Sequence, residues 1–171
     1  ALLEAMEEHR VTIEGKTYRL PDPFIVIATQ NPVEQVGTYP LPESQLDRFL
    51  ITTGIGYPPE SMEKTIIQTG SIREGIREIK PLITREELLR ARQAIRDEVQ
   101  LSEKITEYIY RLVVATREHP MLLAGISTRG AISLADTARS HAFLAGRDHV
   151  IPEDVKALYL PVCAHRLILR Q

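Results

Sequence analysis

Apolar and polar residues follow two different rhythms along this chain, and the change falls near Tyr57-Pro58-Pro59. Before that point the signals are short and extended. Phe24 to Ala28 is an unbroken apolar run, stopped by Thr29, Gln30 and Asn31, with Pro32 forbidding continuation. Such a run predicts a strand over 24–29 buried on both faces, as in a parallel sheet covered by helices. Alternating residues on either side of Glu14-Gly15 predict a β-hairpin over 10–20 with a tight turn. The β-branched segment 50–56 predicts a further strand. Residues 2–8 read as the end of a helix, with Leu2, Leu3 and Met6 apolar and Glu4, Glu7 and Glu8 solvated. Pro42 starts a short helix over about 42–49, in which Leu46 and Phe49 face inward while Asp47 and Arg48 point elsewhere.

After the Pro-Pro step the rhythm becomes helical. A helix over roughly 60–69 ends near Gly70. Thr84 with Glu87 forms a capping box ahead of Leu88, Leu89 and Ile95. Ser102 caps a helix whose Ile105, Tyr108, Ile109, Leu112 and Val113 make one apolar stripe, and Pro120 ends it. Ser127 caps another, carrying Leu134, Ala135 and Ala138 inward and closing at Gly146. Pro152-Glu153-Asp154 opens the last, with proline in the first turn and acids at the positive end of the helix dipole. The predicted class is α/β followed by all-α, the second part a small helical bundle.

Composition narrows the function classes. The 171 residues suffice for one ordinary domain or two small ones, and 43% hydrophobic with 26% charged residues is the make-up of a soluble globular protein. The net charge is −2 with acids and bases interleaved, which argues against a nucleic-acid partner of the usual basic kind. No signal peptide and no apolar run of bilayer-crossing length occur in the sequence. The single cysteine, Cys163, cannot form an internal disulfide and sits in the apolar stretch LYLPVCAHRLIL, as a core residue would. A cytoplasmic location is the expectation. The five histidines show no ligand spacing, so no metal site is expected.

Three polar positions carry candidate chemistry. Asn31 ends the predicted buried strand, where open parallel sheets place their ligands. Its amide can donate to or accept from a phosphate or a water, although asparagine also ends strands before proline as a plain turn former. Arg48 is a nearby exposed arginine; beside Asp47 it could equally be a solvated surface residue. Arg129 follows the cap Ser127 in the first helical turn, where a cation opposes the macrodipole. A broken local rule of this kind often marks a functional position, and an arginine beside free helix-start amides makes an anion site. A salt bridge to a nearby acid is the alternative.

The segment ALLEAMEEHRVTIEGKTYRLPDPFIVIATQNPVEQVGTYPLPESQLDRF, residues 1–49, resembles the AAA+ ATPases and specifically the MoxR family. The likeness continues more loosely through GISTRGAISLADTARSHAFLAGRDHVIPEDVKAL, residues 125–158. The resemblance implies a partial αβα nucleotide-binding core with a hairpin insertion over 1–58, and a helical lid over 59–171. It implies that Asn31 is the sensor 1 residue, which orients the attacking water and senses the γ-phosphate. Arg48 would be the arginine finger reaching into a neighbouring subunit, and Arg129 the sensor 2 arginine of its own subunit. Tyr57 and Pro58 would lie where the hinge passes the adenine. The family motif often carries proline where this chain has Thr128, a change that leaves the arginine in place. ATP and Mg2+ are the implied cofactors, and chaperone-like remodelling or maturation of protein clients the implied work. The implied partners are further copies in a homo-oligomeric ring, a hexamer, and clients bearing a von Willebrand factor A-type domain.

Two elements needed for hydrolysis do not occur in the sequence. The one Gly-Lys-Thr, at Gly15 to Thr17, has Arg10 where a phosphate loop needs its first glycine, and it falls in the predicted hairpin turn. No apolar strand ends in the Asp-Glu pair that would hold magnesium. In the family both elements lie upstream of the segment that begins here at Ala1. The chain therefore reads as a C-terminal fragment, not expected to hydrolyse ATP by itself. Two other readings are a helical interaction module with vestigial ATPase features and a DNA-remodelling AAA+ relative. Neutral charge and the lack of a recognition-helix pattern argue against the second.

Overall fold

Local sequence signals account for most of the elements in a computed structural model, which describes residues 2–30, 41–70 and 78–170. Helix α1 (Leu2–Glu8) runs into strands β1 (Arg10–Ile13) and β2 (Lys16–Arg19). The strands pair antiparallel, Arg10 opposite Arg19 and Ile13 opposite Lys16. Glu14 and Gly15 turn the chain with φ of 50° and 78°. A two-residue turn with both φ positive matches the twist of a hairpin, and glycine adopts it without a Cβ penalty. The Leu20 amide closes the base of the hairpin by donating to the His9 carbonyl at 2.8 Å, and Thr12 Oγ1 ties it to α1 by donating to Glu4 Oε1 at 2.8 Å.

The two other extended segments differ from expectation. Residues 24–30 and 51–56 form no ladder, and Ile27 is 87% exposed. An apolar run becomes a strand buried on both faces only when strands flank it and helices cover it. The described residues offer no such neighbours, and the exposed Ile25, Ile27, Ile51 and Ile55 form an apolar surface instead.

Helix α2 (Glu43–Leu46) is a single turn behind Pro42, and α3 (Glu60–Thr69) ends at Gly70. In α4 (Arg85–Glu98) the predicted capping box is complete: Thr84 N donates to Glu87 Oε2 at 2.7 Å and Glu87 N to Thr84 Oγ1 at 3.1 Å. Ser102 caps α5 (Glu103–Arg117), whose stripe Ile105, Ile109 and Val113 is buried. Strand β3 (Leu122–Ala124) leads to α6 (Thr128–Leu144), capped by Ser127. Then come α7 (Pro152–Cys163), a 3-10 turn over Ala164–Arg166, and β4 (Ile168–Leu169).

Helices α5, α6 and α7 enclose the core. Leu134, Ala138 and Ala142 recur every four residues along one face of α6 and are fully buried, with Val155, Val162 and Cys163 of α7. The expected bundle is not purely helical, since β3 and β4 pair antiparallel, Leu122 opposite Leu169. Three and two residues are too few to show a period in sequence.

The α6–α7 corner is fastened by a buried charge. Asp154, 1% exposed, accepts from Arg147 Nη1 at 2.8 Å and Nη2 at 2.5 Å, from the Ile151 amide at 2.9 Å, and faces His141 Nδ1 at 2.6 Å. The Arg147 guanidinium holds its carboxyl far below the usual range. Burial of the sulfur pushes the Cys163 thiol up to about 11, which makes it an inert core residue. No helix among the described residues is long and apolar enough to cross a membrane.

Candidate functional site

Arg48 is positioned by what its neighbours hold. Helix α2 stops after one turn at Asp47, and the segment that follows is fastened to the far end of the chain. Asp47 accepts from Ser127 Oγ at 3.1 Å on each carboxylate oxygen and from Arg166 Nε at 2.9 Å. Arg166 Nη2 donates to the Asp47 carbonyl at 3.0 Å and the Phe49 carbonyl at 2.7 Å. Its Nη1 donates to the Val162 carbonyl and, at 3.3 Å, to that of Leu50. The Thr52 amide donates to the Pro161 carbonyl at 2.8 Å, and His165 Nε2 lies 3.0 Å from the Phe49 carbonyl. Burial of the His165 ring keeps its pKa below the ordinary value, which favours the neutral form.

Arg129 reaches the same place from α6. Ser127 accepts from the Gly130 amide at 3.0 Å, so its hydroxyl caps the helix while donating to Asp47. The first turn of α6 contains no acid. The countercharge comes from α1 instead: Arg129 Nη2 donates to Glu7 Oε1 at 2.7 Å. Arg48 pairs with that same oxygen through Nη1. The salt bridge held open as an alternative for Arg129 therefore exists, and its acid is shared with Arg48. The Arg48 hydrogen bond first, then Arg129, holds the Glu7 carboxyl below its usual value.

Two guanidiniums converging on one anionic oxygen make a site for a phosphate-like anion, because planar N–H forks match carboxylate and phosphate alike. The structure thus brings together two of the five predicted site residues. Tyr57 is 94% exposed and Pro58 is exposed beside it, so the fold presents both to solvent. Asn31 lies outside the described residues. Among the described residues no group of three acids, histidines or cysteines is arranged to hold a metal.

Sequence reasoning missed Glu7 and Arg166 and gave Asp47 no role. Arg166 had a visible signal, as the cation inside the apolar stretch LYLPVCAHRLIL. Glu7 had none, being one of three acids at a helix end.

Comparison with known proteins places both ends of the chain in families. Residues 1–51 match the ATPase family associated with various cellular activities (AAA), and residues 114–171 match the AAA lid domain. The uncharacterized protein YeaC of Bacillus subtilis is 44% identical over 99% of this chain and 52% of its own length. Chaperone MoxR1 of Mycobacterium tuberculosis is 39% identical over 99% of this chain and 46% of its own. A crystal structure of a candidate ATPase from Cytophaga hutchinsonii superposes with a TM-score of 0.88 at 40% identity, covering 99% of this chain and 54% of that one. The chain spans about half the length of these relatives. With part of an AAA+ core in its first third, an AAA lid in its last, and MoxR-named relatives matched along nearly all of its length, the chain belongs to the MoxR-type AAA+ ATPases.

Proposed function

We propose that this chain supplies the arginine-bearing half of an ATP-hydrolysing machine that remodels or matures protein clients. The observation that carries the reading is the convergence of Arg48 and Arg129 on the single Glu7 oxygen. In the working state the pair faces a nucleotide's terminal phosphates, with Arg48 as the finger and Arg129 as the sensor 2 residue. Both serve one nucleotide, held by the neighbouring subunit of a homo-oligomeric ring, a hexamer. We propose this in place of the expectation that Arg129 serves its own subunit's nucleotide, because both guanidiniums meet one Glu7 oxygen. Asn31 orients the attacking water, and Tyr57 with Pro58 borders the adenine. Catalysis of phosphoryl transfer relies on positioning and on charge more than on covalent help, which is what two fixed guanidiniums provide. Bound magnesium would neutralise charge on the transferring phosphates; its ligands are not among these residues.

The domain boundary falls at residues 58 and 59, the core part before and the lid after. The exposed Ile25, Ile27, Ile51 and Ile55 support this, as the faces on which the remaining strands and helices of an αβα core would pack. The name of the mycobacterial relative, a chaperone, supports a protein client, and a von Willebrand factor A-type domain is the kind we propose. The single buried, unpaired cysteine fits a cytoplasmic setting.

Turnover in the intact gene product tests the reading. Arg48→Ala should lower kcat by about 10³-fold or more, the range for arginine fingers, while ATP binding changes little. Arg129→Ala should lower turnover as well. These 171 residues alone should show only background hydrolysis with magnesium and ATP. Normal kcat in both arginine variants would refute the assignment.

A further inference from the structure

We infer that Arg166, with Asp47 and Ser127, is a positioning brace that holds Arg48 and Arg129 in register; the inference rests on the reading of those two arginines given above. Arg166 is a cation whose side chain is 2% exposed. A buried guanidinium is tolerated only when its donors are met. Here Nε goes to the Asp47 carboxylate, Nη2 to the carbonyls of Asp47 and Phe49, and Nη1 to those of Leu50 and Val162. Its other partners are the Val162 carbonyl, Ser133 Oγ at 3.5 Å and His165 Nε2 at 2.9 Å, while four of its hydrogen bonds end within residues 47–50, the stretch that contains Arg48. One arginine's fixed fork therefore sets the backbone that presents another.

The same group reaches the second arginine from both sides. Asp47 accepts the hydroxyl of Ser127, two positions before Arg129. The stem of Arg166 lies against Gly130, one position after it. A Cβ at Gly130 would sit 2.9 Å from Arg166 Cδ and 2.7 Å from Ile126 Cγ2. The brace thus touches the sequence neighbours of both arginines. It has no hydrogen bond to either functional guanidinium; both meet the Glu7 carboxylate instead. Arg166 is a positioning residue in this arrangement.

Interdomain glue would use the same contacts, so the test must separate position from stability. Aspartate and asparagine cap helices about equally well. Ser127→Asp and Ser127→Asn therefore both keep the start of α6, but only the first sets a second carboxylate against Asp47. In the intact gene product, Ser127→Asp should lower kcat tenfold or more with KM for ATP changed less than threefold, and Ser127→Asn should recover most of the loss. Arg166→Lys keeps the charge and loses the planar fork, and should lower kcat in the same way. The double variant Ser127→Asp/Arg166→Lys should fall no further than the worse single, because both act through Asp47. Wild-type kcat in a folded Ser127→Asp protein overturns the brace, and so does an equal loss in Ser127→Asp and Ser127→Asn. Full turnover in Arg48→Ala and Arg129→Ala would remove the underlying reading and the brace with it. Loss in those two alone would overturn the brace and leave that reading standing.

Discussion

Glu7 sets the electrostatics at the scale of single residues. Its carboxylate balances two guanidiniums, so its affinity for a proton falls. A depressed carboxylate contributes stability above its ordinary value of 4.5, and that contribution is lost as pH drops through the lowered value. Glu7→Gln removes the charge without changing the shape. The arginine pair is then left without its internal anion and should take one from solution. Inorganic phosphate titrated into the 171-residue chain, followed by the shifts of arginine Nε–H signals, should bind several-fold more tightly to Glu7→Gln than to the unaltered chain. Equal affinity would mean that Glu7 does not stand in the anion's place.

Between elements, the Asp154 cluster decides how α6 meets α7. Arg147→Ala leaves a carboxylate that is 1% exposed without its strongest partner, and breaking a buried pair in this way costs about 3 kcal/mol. Urea unfolding of the 171-residue chain should show that loss, and it should shrink in acid as Asp154 becomes protonated, below its ordinary value of 3.8. These elements also show what a sequence can and cannot disclose. The caps at Thr84, Ser102 and Ser127 and the Glu14-Gly15 turn depend on residues three apart or fewer, and each was legible. The α5 and α6 stripes repeat often enough to be read as well. The β3–β4 pairing joins five residues across more than forty positions, and the Arg166–Asp47 pair spans 119. Neither leaves a period. Residues 24–29 misled for another reason: apolarity states that a segment is to be covered, not that its neighbours are at hand.

For the whole molecule, the convergence on Glu7 predicts how subunits complement one another. If both arginines of one subunit serve one neighbouring nucleotide, Arg48→Ala and Arg129→Ala subunits mixed in a ring should remain inactive, since no interface regains both groups. Recovery of turnover on mixing would mean that the two arginines serve different nucleotides. The brace also ties the segment before Tyr57 to the lid. A chain starting at Pro59 should still melt cooperatively, as its capped helices and core are complete. It loses the acceptors of Arg166, however, and should melt about 5 °C or more below the full chain. A flat, non-cooperative melt would count against an independent lid.

Gly130 has a consequence for anyone who would engineer this protein. A glycine in the first turn of a helix invites replacement by alanine, a change ordinarily worth up to about 1 kcal/mol in a helix interior. Consensus or thermostabilising design would choose it early. Here the missing methyl is the passage through which the Arg166 stem reaches Asp47, with 2.7 Å to Ile126 Cγ2 and 2.9 Å to Arg166 Cδ. Any side chain there would force Ile126 or the Arg166 stem to shift, whatever its helix propensity. A saturation library scored by melting temperature should retain glycine at 130 while the exposed Ile132, two residues on, accepts many substitutions. The most tempting site for improvement in α6 is thus one where an added methyl meets a packed neighbour on two sides.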